Sequence, residues 1–547
     1  MKIINLESKK ITVIFFLFLA LLTVLLYWSN LTAYFASDDF DWINSSINRN
    51  PLTFFITNFA GQIGSGNYGP IINLIYYFSY SIGGLNPLPY HLFSLFFHLG
   101  NILLIYFLAR QFFSQKSALL ASLFFAVYFN NAEAVDWVAA IPHVSATFFY
   151  LLAIILWLKF LAVKKWHLYL ISLISFLAAL FCKEIAISLP AIMIILFFVK
   201  RPIKDYKKLL VYILPFLVTF YGYLQLRLYT TGVLVGYYGK KNLTFEPKRL
   251  VKNVLEFLSA FVSSGDFRIY LFHLIENRAL FISIGLAVLV LIIIILGRKK
   301  LLPLICWALI FGCISFPYLN LRLNPLSNEG ERYLYLPQIV VFVALGNLAW
   351  WLFKKWRLAL SLGLLVVIIT SSFILYQKNQ VWVLGSKIAQ KIIVDFGQIV
   401  DTTKQQGVVF LYLPDNINGA QIFRNAIREA INFNYPTYRL SAIVLPIYVR
   451  LTPQNWQNHM FDWANHGQGK ILGQAVDNKK IILGFDRRES DDYIFELWGY
   501  DYQYYITNKI YFAPKPILAD SMKKDKIYFL YYDQGGLKQL DTSVFQL

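Results

Sequence analysis

The sequence predicts a polytopic α-helical membrane protein of about eleven transmembrane helices, followed by an extracytoplasmic α/β domain. Three observations predict it. The chain has 547 residues, of which 58% are hydrophobic and 18% aromatic, and its mean hydropathy is +0.53. That is too apolar for an ordinary soluble protein. Its apolar runs repeatedly reach the ~18–20 residues that cross a bilayer core. The net charge of +20 lies in short Lys and Arg clusters between those runs, as the positive-inside rule expects, so nucleic acid is not an expected partner.

The first span covers 11–28, preceded by Lys2, Lys9 and Lys10. Its apolar core is long for a cleaved signal peptide, and no convincing small-residue cleavage site follows. It reads as a retained anchor with a cytoplasmic N-terminus. Further spans are expected at 90–109, 117–130, 139–163, 167–182, 185–199, 209–228, 279–297, 301–319, 337–353 and 358–376. With this topology nineteen basic residues face inward with only two acids, Glu7 and Asp205. The outward side of residues 1–376 carries twelve of each sign. Acids contribute little to orientation, so their confinement to one face was not required by the rule. The outer face is where chemistry is expected.

The first outer loop, about 30–89, holds S-D-D-F-D (Ser37 to Asp41), a Gly-rich turn and the short apolar segment Pro70–Ile82. Only fourteen acids occur in residues 1–376, and three lie in that run. A carboxylate beside a membrane-embedded region is costly to desolvate and usually has a partner or a function. At a cavity mouth it can act as a general base; equally, Ser and Asp favour helix caps. The second outer loop is short and holds Glu133 and Asp136. The third, about 229–278, is mixed in charge.

Lys183 and Glu184 end the fifth span. They read either as a self-neutralising turn or as a pair in which Lys183 binds an anionic group and Glu184 orients it. Arg332 lies at the outer end of the tenth span. Its guanidinium can hold a phosphate bidentately, or snorkel among interfacial tyrosines. Arg322 is a second phosphate candidate. His91, His98 and His143 lie in or near spans without a zinc spacing, and read more readily as hydrogen-bonded structural groups than as ligands. Cys182, Cys306 and Cys313 form no disulfide framework or metal motif. No Walker A loop, Rossmann glycine fingerprint or nucleophile elbow is present. An outward cavity with carboxylates, cations and aromatics suits an amphiphilic substrate whose anionic head meets Lys and Arg while its tail stays in lipid.

After Tyr376 the composition changes, and 377–547 reads as an α/β domain of ~170 residues, enough for its own core. Val408–Leu413, Lys480–Phe485 and Lys526–Tyr532 read as strands, Pro414-Asp415-Asn416 as a turn and Gly419–Asn432 as a helix.

Five segments in order carry a resemblance. They are Asp38-Asp39, G-L-N-P-L-P-Y-H-L-F-S-L-F-F-H (Gly84–His98), N-A-E-A-V (Asn131–Val135), L-F-C-K-E (Leu180–Glu184) and E-R-Y-L-Y-L-P (Glu331–Pro337). Together they make residues 1–376 resemble the GT-C glycosyltransferases. The likeness is to the protein O-mannosyltransferase-like group, and within it to the membrane part of the TPR-containing transmembrane O-mannosyltransferases. The resemblance implies inverting transfer of a sugar from a polyprenyl-phosphate donor to an acceptor hydroxyl on the outer face of the cell membrane. It implies Asp38 as base with Asp39 in support. Glu133 would lie near the acceptor, with Asp136, Glu184, His91 and His143 as further substrate-side candidates. Lys183, Arg332 and Arg322 would meet the donor phosphate. That division of labour calls for no cofactor and no metal. The first-loop pair is Asp-Asp rather than the family's common Asp-Glu, and neither a TPR array nor a MIR-type domain is apparent. The acceptor is therefore a protein, a lipid or a surface glycan. The competing reading is a transporter or flippase of lipid-linked sugars, which would need polar residues near midplane and related halves.

Overall fold

A computed structural model describes residues 6–63, 67–201, 205–234, 247–265, 267–275, 277–278, 285, 301–318, 323, 328–404, 407–438, 441–444, 448–454, 456–457, 472–477, 480–484, 510–512 and 528–539. The chain divides into two compact units: residues 1–33 with 42–382, and residues 34–41 with 383–547.

The first unit is helical. Among the described residues, five helices are long and apolar enough to cross a membrane: Lys10–Thr32, Leu88–Ala109, Val138–Val163, Tyr206–Thr231 and Arg357–Ile399. A sixth arises if Gln115–Ala126 and Phe129–Asp136, bent by 55°, count as one broken span. These segments make the protein an integral membrane protein. The other expected spans also fall on helical segments where they are described. Three of them form shorter helices: Trp166–Cys182, Leu189–Lys200 and Leu301–Ser315. The 337–353 span is the helix Gln338–Lys355, and 279–297 lies outside the described residues. The short helices stop where the sequence puts a charge: Trp166–Cys182 ends before Lys183, which is extended, and Leu189–Lys200 before Arg201.

Several helices begin with proline in the first turn: Pro70, Pro89, Pro142 and Pro190. Proline costs nothing there, because the first turn's N–H groups have no partner within the helix. Packing is close where Gln338–Lys355 meets Gln115–Ala126. A Cβ on Gly346 would lie 2.6 Å from Ala121 N and Ser117 O. Small residues let two backbones approach in this way within a membrane.

The second unit is α/β. Strand β1 (Gly407–Ile417) is its centre. It pairs parallel with β3 (Ser441–Val444), β4 (Tyr448–Leu451) and β8 (Tyr528–Asp533), and antiparallel with β2 (Ala420–Gln421); β9 (Gly536–Gln539) completes the sheet beside β8. Strands β5 (Leu472–Asp477), β6 (Lys480–Gly484) and β7 (Ile510–Phe512) form a separate antiparallel sheet. Phe396, on the last part of the helix Arg357–Ile399, stacks on Phe410 of β1 at 6.1 Å between centroids.

Two local expectations change here. Pro414-Asp415-Asn416 is not a turn: β1 runs through it with an irregularity between Pro414 and Asn416. The turn falls at Asn418 and Gly419, whose φ angles are 46° and 95°. Asn416 Oδ1 closes it by accepting from Gly419 N at 3.0 Å. Gly419–Asn432 is not one helix either. It begins as β2, and the helix spans only Ile427–Asn434. In both cases hydrogen bonds to β1 outweigh local turn and helix preference: Ile422 N donates to Asp415 O and Phe423 N to Pro414 O.

Candidate functional site

In the first unit Glu133, Lys183, Glu184 and Arg332 belong to one charged cluster. Glu133 is fully buried. It accepts from Gly330 N at 3.2 Å, from Arg332 N at 2.7 Å and from the Arg332 guanidinium. The positive φ of Gly330, 95°, turns the chain so that these donors converge. The Arg332 guanidinium also lies over Trp137 and Tyr333, 5.1 and 4.6 Å from their ring centroids. Arg332 is therefore a fixed cation held by a carboxylate and two rings, and only part of its donor set is spent on Glu133.

Lys183 is half-buried in the link between Trp166–Cys182 and the 3₁₀ turn Glu184–Ser188. Burial lowers its pKa, Glu184 opposes that, and the charges of Arg332 and Arg227 lower it further. Burial pushes the neighbouring Glu184 carboxyl up, but Lys183 and Arg227 outweigh it and leave it below the usual range. Arg227 is buried, 3.8 Å from Glu184. It donates to Leu234 O at 3.1 Å, and its Nη2 has no partner among the described residues. Three cations here face three carboxylates, Glu133, Glu184 and Glu329. The unspent Nη2 of Arg227 and the half-buried Lys183 leave donors for an anion.

His143 opens the helix Ile141–Val163, its ring 5.6 Å from Tyr333 and 6.2 Å from Tyr318. Its Nδ1 makes no hydrogen bond among the described residues. His91 has a partner: its Nε2 lies 3.0 Å from Ala33 O. His98 Nδ1 meets the Tyr335 hydroxyl at 2.6 Å. Asp136 is buried with Asn30 as its side-chain neighbour. Arg322 lies outside the described residues.

Sequence reading missed a second buried ion cluster. Glu331, fully buried, pairs with Arg268 at 2.7 Å and with Lys378 at 2.6 Å. Lys378 and Arg268 both donate to Asn130 Oδ1, at 2.8 and 3.2 Å. Arg227, near the end of an apolar run, and Lys378, just after the last one, were the available signal. An ionisable residue inside or beside a span is a functional or structural centre by default.

The acid pair belongs to the second unit. Asp39 is buried and its Oδ2 accepts from Ala36 N at 2.9 Å. That bond closes a turn through Ser37, whose φ is 49°. Asp38 is only partly buried and accepts at Oδ1 from the Asn425 side-chain amide. Adjacent acids thus have different surroundings: one shapes the turn, the other keeps an oxygen open. Asp41, further along the same helix, is pushed up to about 8, by burial first and then by the charges of Glu429 and Asp38.

The Asp41 shift makes a checkable prediction. The folded unit holds a proton that an unfolded chain releases near pH ~3.9. Its stabilising contribution is therefore full below that pH and is lost as pH rises through about 8. Wild-type protein should show a lower thermal midpoint at pH 8 than at pH 5, and Asp41→Asn should shrink that difference. An equal difference in the variant would remove Asp41 as its source.

The dolichyl-phosphate-mannose-protein mannosyltransferase family matches residues 67–223. The chain is 31% identical over 177 residues to the protein O-mannosyl-transferase Tmtc1 of Drosophila melanogaster, covering 30% of this chain and 21% of that protein. It is 28% identical over 158 residues to human protein O-mannosyl-transferase TMTC3, covering 27% and 17%. The chain thus spans about a fifth of the length of the curated relatives it matches. Among solved structures it is similar to the oligosaccharyltransferase AglB of Archaeoglobus fulgidus, with a TM-score of 0.45 and 14% identity over 80% of this chain and 65% of that one. It is also similar to ArnT of Cupriavidus metallidurans, at 0.42 and 13% over 80% and 86%. Likeness at that level carries nothing about the site. Over the matched residues, 67–223, the chain is protein O-mannosyltransferase-like.

Proposed function

We propose that this protein is a membrane glycosyltransferase that moves a sugar from a polyprenyl-phosphate donor to an acceptor hydroxyl on the outer face, with inversion at the anomeric carbon. The observation that carries the reading is the cation group Lys183, Arg227 and Arg332 beside a segment that is similar to mannosyltransferases acting from a dolichyl-phosphate donor. In the reaction the acceptor oxygen bonds to the anomeric carbon as the bond from that carbon to the phosphate oxygen breaks. The electron pair of the broken bond leaves on the polyprenyl phosphate, and the acceptor's proton goes to a carboxylate, assigned to Asp38. Fixed cations stabilise the charge gathering on the leaving phosphate and need no reorganisation to do so. Charge distribution along the sequence supports an outer-face reaction and a cytoplasmic N-terminus.

The test is transfer of labelled sugar from purified polyprenyl-phosphate donors by detergent-solubilised protein. It is paired with binding of a fluorescent polyprenyl phosphate. Lys183→Gln, which breaks no ion pair closer than 4.0 Å among the described residues, should weaken that binding. Losing one charged hydrogen bond costs ~1.5–3 kcal/mol, roughly tenfold to a hundredfold in Kd. Unchanged affinity in both Lys183→Gln and the Lys183→Gln/Arg227→Gln double variant would assign these cations to folding alone.

A further inference from the structure

The first-loop acid is not held by its own helix. Residues 34–41 fold with the C-terminal residues, through contacts some four hundred positions apart in sequence. Ser37 N donates to Ile422 O at 2.9 Å, and the Tyr34 hydroxyl to Asn434 Oδ1 at 2.9 Å. The Phe40 ring stacks on Phe423 with centroids 6.3 Å apart. Asn425 makes two further bonds at once: its Oδ1 accepts from the Ser37 hydroxyl at 2.5 Å, and its Nδ2 donates to Asp38 Oδ1. The amide's orientation follows from its neighbours. A carboxylate oxygen needs a donor facing it, so nitrogen must face Asp38 and oxygen must face the hydroxyl.

The segment that carries Asn425 is itself braced. Arg424 grips Asp415 of β1 with two bonds, Nε to Oδ1 at 2.6 Å and Nη2 to Oδ2 at 2.8 Å. Ile422 N and Phe423 N donate to Asp415 O and Pro414 O, at 2.9 and 3.0 Å. Asn425 therefore extends from a rigid turn rather than from a free loop. Its own side chain is exposed, so burial does not explain its two bonds.

We propose that Asn425 is a positioning residue for the Asp38 base, so that the C-terminal unit presents the first-loop carboxylate in its working orientation. The proposal rests on the glycosyltransferase reading above. A base must meet the acceptor hydroxyl in one narrow geometry, and a misplacement of about 1 Å can cost on the order of a hundredfold. Holding Oδ1 fixes the plane of the carboxylate and leaves the other oxygen to take the proton. The C-terminal unit then supplies a supporting shell to a residue of the first loop.

The test uses full-length protein in detergent with four variants: Asn425→Ala, Asn425→Asp, Asp38→Asn and the exchange Asp38→Asn/Asn425→Asp. Asn425→Ala should lower kcat by about tenfold to a hundredfold, with KM for the polyprenyl-phosphate sugar altered less than about threefold. Asn425→Asp should be at least as damaging, because it sets two carboxylates against each other. The exchange variant re-forms the amide–carboxylate pair with the partners swapped. It should recover the thermal midpoint lost in Asn425→Asp while staying inactive. Recovery of turnover by the exchange variant would overturn the proposal, as would wild-type kcat in Asn425→Ala.

Carbodiimide labelling of Asp38, read by mass spectrometry on native protein, supplies an arm independent of activity. Labelling should rise several-fold in Asn425→Ala, and an unchanged rate would overturn the contact itself. Wild-type protein that transfers no sugar from any polyprenyl-phosphate donor would overturn the enzyme reading and the positioning role together. Labelling would then still report whether the contact exists, so the two failures are distinguishable.

Discussion

Asp38→Asn is expected to leave a folded, membrane-inserted protein that binds donor and turns it over ~100–10,000-fold more slowly, the usual cost of losing a general base. The substitution keeps the side chain's size. Its amide oxygen can still accept from the Asn425 side chain, so the turn around Ser37 should survive. What is lost is a carboxylate able to take a proton. Asp39→Asn is expected to lose much less, because an amide oxygen can still accept from Ala36 N in place of Asp39 Oδ2. Transfer and donor binding must be measured on the same preparations. Near-normal turnover in Asp38→Asn would remove Asp38 from the base role. If Asp39→Asn alone abolished turnover, the two assignments would be exchanged and the glycosyltransferase reading would stand.

The second large effect is on stability. Glu331→Ala removes the carboxylate paired with Arg268 and Lys378, at 2.7 and 2.6 Å. All three groups are buried. Breaking a buried ion pair by deleting one partner costs ~3–5 kcal/mol, since the remaining charge is left uncompensated. Here two like charges would be left together. Lys378→Met should be milder. It leaves the Glu331–Arg268 pair balanced and gives up one bond to Asn130. Thermal unfolding in detergent, followed by loss of monodisperse protein, ranks the two. A midpoint for Glu331→Ala at or above that of Lys378→Met would contradict the ranking.

These effects depend on features of different legibility. The membrane spans were readable because crossing a bilayer is a property of a run of residues. The runs at 11–28, 139–163 and 209–228 are long and apolar in the sequence and helical in the structure. Helix length was less readable. The run at 185–199 gives a helix only from Leu189 to Lys200, because where a helix starts and stops depends on caps and neighbours as well as hydropathy. The motif segments were visible as strings, and that sufficed for the likeness to mannosyltransferases over 67–223.

What a string of residues does not contain is which distant charge meets which. Glu133 and Arg332 are 199 positions apart, and Asn425 and Asp38 are 387 apart. No local pattern encodes either pair. The turn expected at Pro414-Asp415-Asn416 failed for the same reason: its preference was local, and the strand partners that overrode it come from β4 and β2. The sequence by itself determined a membrane protein, because hydropathy acts residue by residue. Only the tertiary structure decided that Asp39 shapes a turn while Asp38 keeps an oxygen open, because that difference lies in which donors the fold brings within about 3 Å of each carboxylate.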